Sequence, residues 1–239
     1  MTKQIKKILP DIQEHYVFSD YGFRLIGGTA LAYHLQHRLS EDLDFCSMDQ
    51  LPREAIQNFI EHCVKIYGRE KVTFIEFSQG KLLDFEVNCE DIMDYEQNWM
   101  INHVKVTFFN GSDNRGVRDI FDIDEYTKIG NIEVSSVDSI FAMKSLMFYN
   151  RAKSRDYYDL FYLYKYDNTK YSIEKTVALI QKYEFSYQNK QGYEFFIEKI
   201  KNANYSKMYD EPLVGLVDEP EEFSILQKRM IVLLKSLVV

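Results

Sequence analysis

The strongest constraint on the fold is an apolar segment that ends in two glycines and is followed by a pair of aspartates. Residues 23–31 lead from a strand-like stretch into Gly27 and Gly28, and Asp42 and Asp44 come shortly after. Adjacent glycines allow a sharp turn and let the backbone approach a ligand closely. The sequence therefore predicts a strand, a tight turn and a short helix, followed by a strand that carries both aspartates.

The two halves of this segment predict complementary chemistry. Thr29 opens a helix whose first backbone N–H groups form an anion site. Asp42 and Asp44 share one face of their strand, and paired carboxylates suit a hard cation such as Mg²⁺. Each half alone is more often structural, a common turn or a strand with one solvated face. Together they favour a nucleotidyl-transfer site, which needs a triphosphate cradle beside a metal site.

Composition limits the class of protein. The 239 residues are 46% hydrophobic, enough for one large domain or two smaller ones. No stretch resembles a signal peptide or a membrane span, which predicts a cytoplasmic protein without a membrane partner. The net charge of −8 argues against tight non-specific binding to nucleic acid. Three cysteines without Cys-x-x-Cys spacing predict free thiols.

The order of patterns predicts an α+β domain followed by a helical one. Residues 72–77 and 82–87 flank a glycine-containing turn and predict a β-hairpin, and residues 104–109 predict a further strand. The sequence takes on helical periodicity near residue 135. We therefore place two domains, at residues 1–135 and 136–239.

A second group of charged residues lies in the helical part. Taken as one continuous helix, 100° per residue brings Lys144, Arg151 and Arg155 into one arc, with Asp159 near it. Cations on a largely apolar helix need partners. Ion pairs with Asp156 and Asp159 are favoured for Arg155, and contact with a triphosphate is favoured for Lys144.

The chain resembles the AbiEii/AbiGii abortive-infection toxins, which are nucleotidyltransferases of the DNA-polymerase-beta-like superfamily. The resemblance covers about residues 20–165 and rests on successive motifs at residues 27–31, 38–45, 104–109, 138–144 and 151–160. It implies a nucleotidyltransferase domain, built on a mixed β-sheet flanked by helices, and then a helical C-terminal domain.

The resemblance also implies roles for individual residues. Asp42 and Asp44 would hold Mg²⁺ or Mn²⁺, and Lys144 would neutralise the phosphates of the NTP substrate. The motifs and the basic residues together give these candidate nucleotide-binding residues: Gly27, Gly28, Thr29, Ser40, Lys105, Lys144, Arg151 and Arg155.

Thr107 is a departure from the superfamily pattern. Many of these enzymes place a third carboxylate there, on a strand beside the acidic pair, as the base for the attacking hydroxyl. Three explanations are open: Lys105 and Thr107 are the family's own solution, Asp84 or Glu86 supplies the carboxylate, or the enzyme is weakened. Thr107 is therefore counted with the candidate catalytic residues.

The sequence and the resemblance together predict a Mg²⁺-dependent transfer of NMP from an NTP to a hydroxyl acceptor. The acceptor implied is RNA, with the 3′ end of tRNA as the example from the family, and the protein would act as a toxin with a cognate antitoxin. The alternatives are transfer to a small molecule or a protein side chain, and an impaired domain that binds nucleotide or protein.

Overall fold

A computed structural model of the protein describes residues 1–150, 153–184, 197–198, 201, 213–217 and 222–236. The chain divides into two compact units, Met1–Val137 and Asp138–Val239. The first unit is built on a mixed sheet with helices, and the described part of the second is helical. The predicted α+β fold class is confirmed.

The first unit contains six α-helices and seven strands. In chain order they are α1 (Lys3–Ile12), α2 (Tyr16–Asp20), β1 (Arg24–Ile26), α3 (Gly27–Leu35), β2 (Asp42–Ser47), α4 (Arg53–Tyr67), β3 (Val72–Phe74), α5 (Gln79–Val87), β4 (Glu96–Ile101), β5 (Val104–Asn110), α6 (Arg115–Asp122), β6 (Thr127–Ile129) and β7 (Ile132–Val134). The described part of the second unit has α7 (Val137–Asn150), which starts at the boundary, α8 (Ser154–Tyr166), α9 (Ile173–Tyr183) and α10 (Phe223–Ser236).

The seven strands form one sheet in the order β3-β4-β5-β2-β1-β7-β6. Strand β2 lies near the centre, antiparallel to β1 and parallel to β5. Strands β1 and β7 are also parallel, whereas β3, β4 and β5 pair antiparallel in succession. The strand that carries the acidic pair is therefore hydrogen-bonded on both sides.

An aromatic core on one side of the sheet fixes which way β2 faces. Phe45 of β2 packs against Phe18 and Phe108, with ring centroids 4.7 and 5.5 Å away, and Phe59 of α4 contacts the same cluster. Side chains alternate along a strand, so a shift of register by one residue would turn Phe45 out of this core. Burial of the aromatic rings thus holds the aspartates of β2 on the opposite face.

The predicted hairpin at residues 72–77 and 82–87 is wrong in its second half. Residues 79–87 form helix α5, which starts where the Ser78 side chain accepts a hydrogen bond from the backbone N–H of Lys81 (3.4 Å). The antiparallel partner of β3 is β4 instead. The alternating apolar residues of this segment meet no core, since Leu83 is 57% and Val87 80% exposed. Without a buried face, the alternation does not select a strand.

The continuous helix assumed for the charged residues of the second unit is also wrong. Helix α7 ends at Asn150 and α8 begins at Ser154, after Lys153 in an extended conformation (φ −105°, ψ 150°). Lys144 and Arg155 therefore lie on different helices, and Arg151 lies outside the described residues. Within the described ranges, no helix has the length and apolar character needed to cross a bilayer.

Candidate active site

The turn between β1 and α3 brings backbone and carboxylate together. Gly27 has a left-handed conformation (φ +71°), and helix α3 begins there without a hydrogen bond from a capping side chain. A Cβ placed on Gly27 would lie 3.2 Å from Oδ2 of Asp44. The carboxylate of Asp44 thus sits directly over the glycine that opens the helix, so the predicted phosphate and metal halves are adjacent.

Two buried hydroxyl groups tie α3 to the start of β2. The Thr29 hydroxyl is hydrogen-bonded to the Ser40 hydroxyl (2.9 Å) and to the backbone carbonyl oxygen of Asp42. Thr29 is 1% and Ser40 5% exposed. These bonds fix the position of Asp42 relative to the helix N-terminus. The hydroxyls of Thr29 and Ser40 are both engaged in these structural hydrogen bonds.

The polar face of the sheet brings together four of the predicted residues. Asp42 is the register partner of Lys105, and Asp44 of Thr107, across the parallel pair β2 and β5. Register partners project from the same face at neighbouring positions. Lys105 is exposed and Thr107 is buried. The pairing therefore sets a cation beside Asp42 and a hydroxyl beside Asp44.

The donor set fits a magnesium ion. Among the described residues, no group of three or more His, Cys, Asp or Glu side chains forms a metal cage. Mg²⁺ commonly takes only one or two carboxylates, and completes its coordination with water and substrate phosphates. Cys46 shares the face of Asp42 and Asp44, but burial raises the pKa of its thiol, so it stays protonated and is a poor ligand.

Arg38, a residue without a predicted role, lies against Gly28 at the start of α3 in the structure. Arg38 is 6% exposed. Its guanidinium packs so closely on Gly28 that a Cβ added to that glycine would clash with Nη2. Nη1 donates to the backbone carbonyl oxygen of Leu39 (2.9 Å). Its position two residues before Ser40, in the stretch that leads into the acidic pair, is the sequence signal that could have identified it.

Lys144 of the second unit lies between two carboxylates. Lys144 Nζ lies 3.0 Å from Asp156 Oδ1 and 2.8 Å from Asp159 Oδ2, and the three side chains are nearly inaccessible. Arg155 is on α8 with these two aspartates. The assignment of Lys144, Arg151 and Arg155 to the nucleotide stays a prediction.

The alternative carboxylates Asp84 and Glu86 differ in their surroundings from Glu96, which the sequence did not single out. Asp84 and Glu86 are exposed on α5. Glu96, on strand β4, instead accepts a hydrogen bond from Asn98, whose side chain contacts Thr107. No pattern in the sequence identified Glu96, because the pairing of β4 with β5 depends on the tertiary fold.

The glycine turn gives a testable prediction with a matched control. Gly27→Ala forces a side chain into a left-handed conformation and against Asp44, whereas Gly22→Ala has a similar conformation (φ +59°) but open space around it. We expect each variant to lose about 1–2 kcal/mol of stability from the backbone term. Only Gly27→Ala should also lose nucleotidyl transfer, by about tenfold or more. Urea denaturation and a transfer assay check this, and equal activity of the two variants would contradict the placement of the site.

Comparison with known proteins defines the class. The family model described as "Nucleotidyl transferase AbiEii toxin, Type IV TA system" matches residues 14–229. The protein is a nucleotidyltransferase. More particularly, the chain belongs to the AbiEii toxin family, which confirms the resemblance seen in its motifs. Comparison with curated proteins gave no match.

Two solved structures from Helicobacter pylori share the fold over nearly the whole chain. A candidate nucleotidyltransferase from H. pylori is 15% identical, with a TM-score of 0.54, and the match covers 99% of this chain and 95% of that one. JHP933 from Helicobacter pylori is 14% identical, with a TM-score of 0.54 and coverage of 99% and 92%. MenT4, a nucleotidyltransferase toxin from Mycobacterium tuberculosis, is 14% identical, with a TM-score of 0.48 and coverage of 95% and 82%.

Proposed function

We propose that this nucleotidyltransferase moves NMP from an NTP to a hydroxyl group of RNA, with the tRNA 3′ end as the acceptor, in a reaction that depends on Mg²⁺ or Mn²⁺. The observation that carries the proposal is the contact between Asp44 and Gly27. It sets a carboxylate for the metal against the backbone that would receive the triphosphate. A metal–NTP complex requires both elements side by side.

The triphosphate is bound by backbone and cations around the first turn of α3. The N–H groups of Gly28 and Thr29 lie at a helix N-terminus that no side chain caps. Such groups attract anions. Arg38 packs against Gly28 and Lys105 projects beside Asp42, so positive charge borders the turn. Ser40 is hydrogen-bonded to the Thr29 hydroxyl and thereby stabilises the first turn of α3.

The metal ion would be held by Asp42 and Asp44. When bound, Mg²⁺ lowers the pKa of the acceptor hydroxyl and offsets charge on the departing pyrophosphate. The task of the protein is to hold the two carboxylates at fixed positions, which the register of β2 and the bonds from Thr29 achieve. Thr107 borders the position where an acceptor hydroxyl approaches Asp44.

Lys144 is proposed to bind the β- and γ-phosphates, together with Arg151 and Arg155. This part rests on the family motifs. Within its own unit the Lys144 ammonium is bound by Asp156 and Asp159, which would hold it in a fixed orientation.

The choice of RNA as acceptor, and of an antitoxin as partner, rests on family membership. The matching model describes toxins of type IV toxin–antitoxin systems. We place the reaction in the cytoplasm, where NTP, tRNA and a cognate antitoxin are all present. The net charge of −8 calls for local rather than overall attraction of RNA.

A labelling experiment tests the proposal. The protein is incubated with Mg²⁺, total RNA and each α-labelled NTP in turn, and the products are separated on a denaturing gel. We expect a labelled band of tRNA size with at least one NTP, and its loss on chelation of the metal. Label on the protein or on a small molecule would show that this molecule, and not RNA, is the acceptor. Nucleotide binding without release of pyrophosphate would indicate an impaired domain.

A further inference from the structure

The hydroxyl beside Asp44 belongs to a chain of hydrogen bonds whose first two members are buried. Thr107 Oγ1 donates to Asn98 Oδ1 (3.0 Å), and Asn98 Nδ2 donates to Glu96 Oε1 (2.7 Å). Thr107 and Asn98 are each 7% exposed. The other oxygen of Glu96 contacts Lys81 Nζ at 2.5 Å. The chain therefore runs from the residue beside the acidic pair to an ion pair at the first turn of α5.

The carboxylate at the far end fixes the direction of every bond in this chain. An ionised carboxylate only accepts hydrogen bonds, so Asn98 must turn its NH₂ group toward Glu96. Its carbonyl oxygen then faces Thr107, which must donate its single proton to it. Reversing the amide would set two oxygen acceptors against each other at Glu96. The second oxygen of the same carboxylate is held by the ion pair with Lys81.

Thr107 consequently presents only its lone pairs to the space beside Asp44. We propose that Glu96 and Asn98 are positioning residues that make Thr107 an obligate hydrogen-bond acceptor for the O–H of the attacking hydroxyl. Thr107 then orients the nucleophile without removing its proton, in the place where a superfamily member has a carboxylate. The inference rests on the proposed function, since it concerns the acceptor side of the same site.

The arrangement explains how the site manages without a third acidic residue on β5. A hydroxyl whose proton is directed elsewhere can hold an O–H group at hydrogen-bond distance, which contributes orientation. Glu96 acts only through Asn98 and Thr107, and is two strands away from Asp44 in the sheet.

Three variants and one control test this chain of hydrogen bonds. Thr107→Val removes the acceptor, Thr107→Ser retains it, and Glu96→Gln keeps the shape but lets the Asn98 amide reverse. Glu76→Gln alters an exposed glutamate just after β3 and serves as the control. Each protein is assayed for transfer from labelled NTP to total tRNA, and Mn²⁺-dependent binding of a non-hydrolysable NTP is measured by calorimetry.

We expect Thr107→Val to lower kcat by about tenfold to a hundredfold, with NTP binding within about twofold of the wild type. Thr107→Ser should recover most of the activity, and Glu96→Gln should lose about tenfold in kcat. The control should match the wild type. Equal kcat for Thr107→Val and Thr107→Ser would overturn the acceptor role.

Melting temperatures separate failure of this inference from failure of the proposed function. Thr107→Val and Glu96→Gln disturb one network, so the double variant should lose less melting temperature than the sum of the two single losses. Additive losses would overturn the chain. Wild-type protein that labels no tRNA would instead reject the proposed acceptor, whatever the melting temperatures show.

Discussion

Asp42→Asn and Asp44→Asn should each reduce nucleotidyl transfer by about a thousandfold, equivalent to about 4 kcal/mol of transition-state stabilisation. Each replacement removes one of two carboxylates on the same face of β2, and with it much of the charge that holds the metal ion. The side chains keep their shape, so β2 and its aromatic core should be unaffected. Pyrophosphate release with each NTP and Mg²⁺ measures the effect.

Stability distinguishes a metal site from a structural pair. Because Asn keeps the size and shape of Asp, each variant should stay folded, with a melting temperature close to that of the wild type. Mn²⁺ with NTP should raise the melting temperature of the wild type but not of these variants. Asp49→Asn, at an exposed position just beyond β2, is the matched control and should behave as wild type. Full activity in both Asp42→Asn and Asp44→Asn would reject the assignment.

Local patterns were sufficient to predict the centre of the fold. A two-residue alternation places Asp42 and Asp44 on one face whichever strands lie beside β2. A glycine pair at the end of an apolar strand predicts a turn, and the left-handed conformation of Gly27 is one that glycine readily adopts. The roles of these residues remain proposals. Their placement on a strand and near a helix start agrees with the structure, in which α3 begins at Gly27, two residues before Thr29.

Long-range packing decided the elements that were predicted wrongly. The alternation at residues 82–87 is typical of a strand, yet no buried surface receives it, and the segment forms the exposed helix α5. The break between α7 and α8 falls next to Lys153, which no glycine or proline marks. The chain from Thr107 to Glu96 depends on the register of β4 against β5, which is set by the whole sheet.

Replacing Lys144 should destabilise the protein, so a loss of activity in that variant does not by itself show a catalytic role. The ammonium group lies between the carboxylates of Asp156 and Asp159, whose side chains are 6% and 0% exposed. Lys144→Met leaves two buried negative charges without that cation, which should cost about 3–5 kcal/mol. Urea denaturation measures the loss. Lys165→Met, an exposed lysine on α8, should change stability by less than about 0.5 kcal/mol.

A compensated variant then separates structure from catalysis. In Lys144→Met combined with Asp156→Asn and Asp159→Asn, no buried charge of this group remains, and most of the lost stability should return. If Lys144 binds the phosphates, this variant should be folded but inactive, and added Mg²⁺ should not restore transfer. A folded and active triple variant would reject the phosphate role of Lys144 and leave the ion-pair cluster as a structural element. The same loss of activity in single and triple variants, at different stabilities, would assign the loss to chemistry rather than folding.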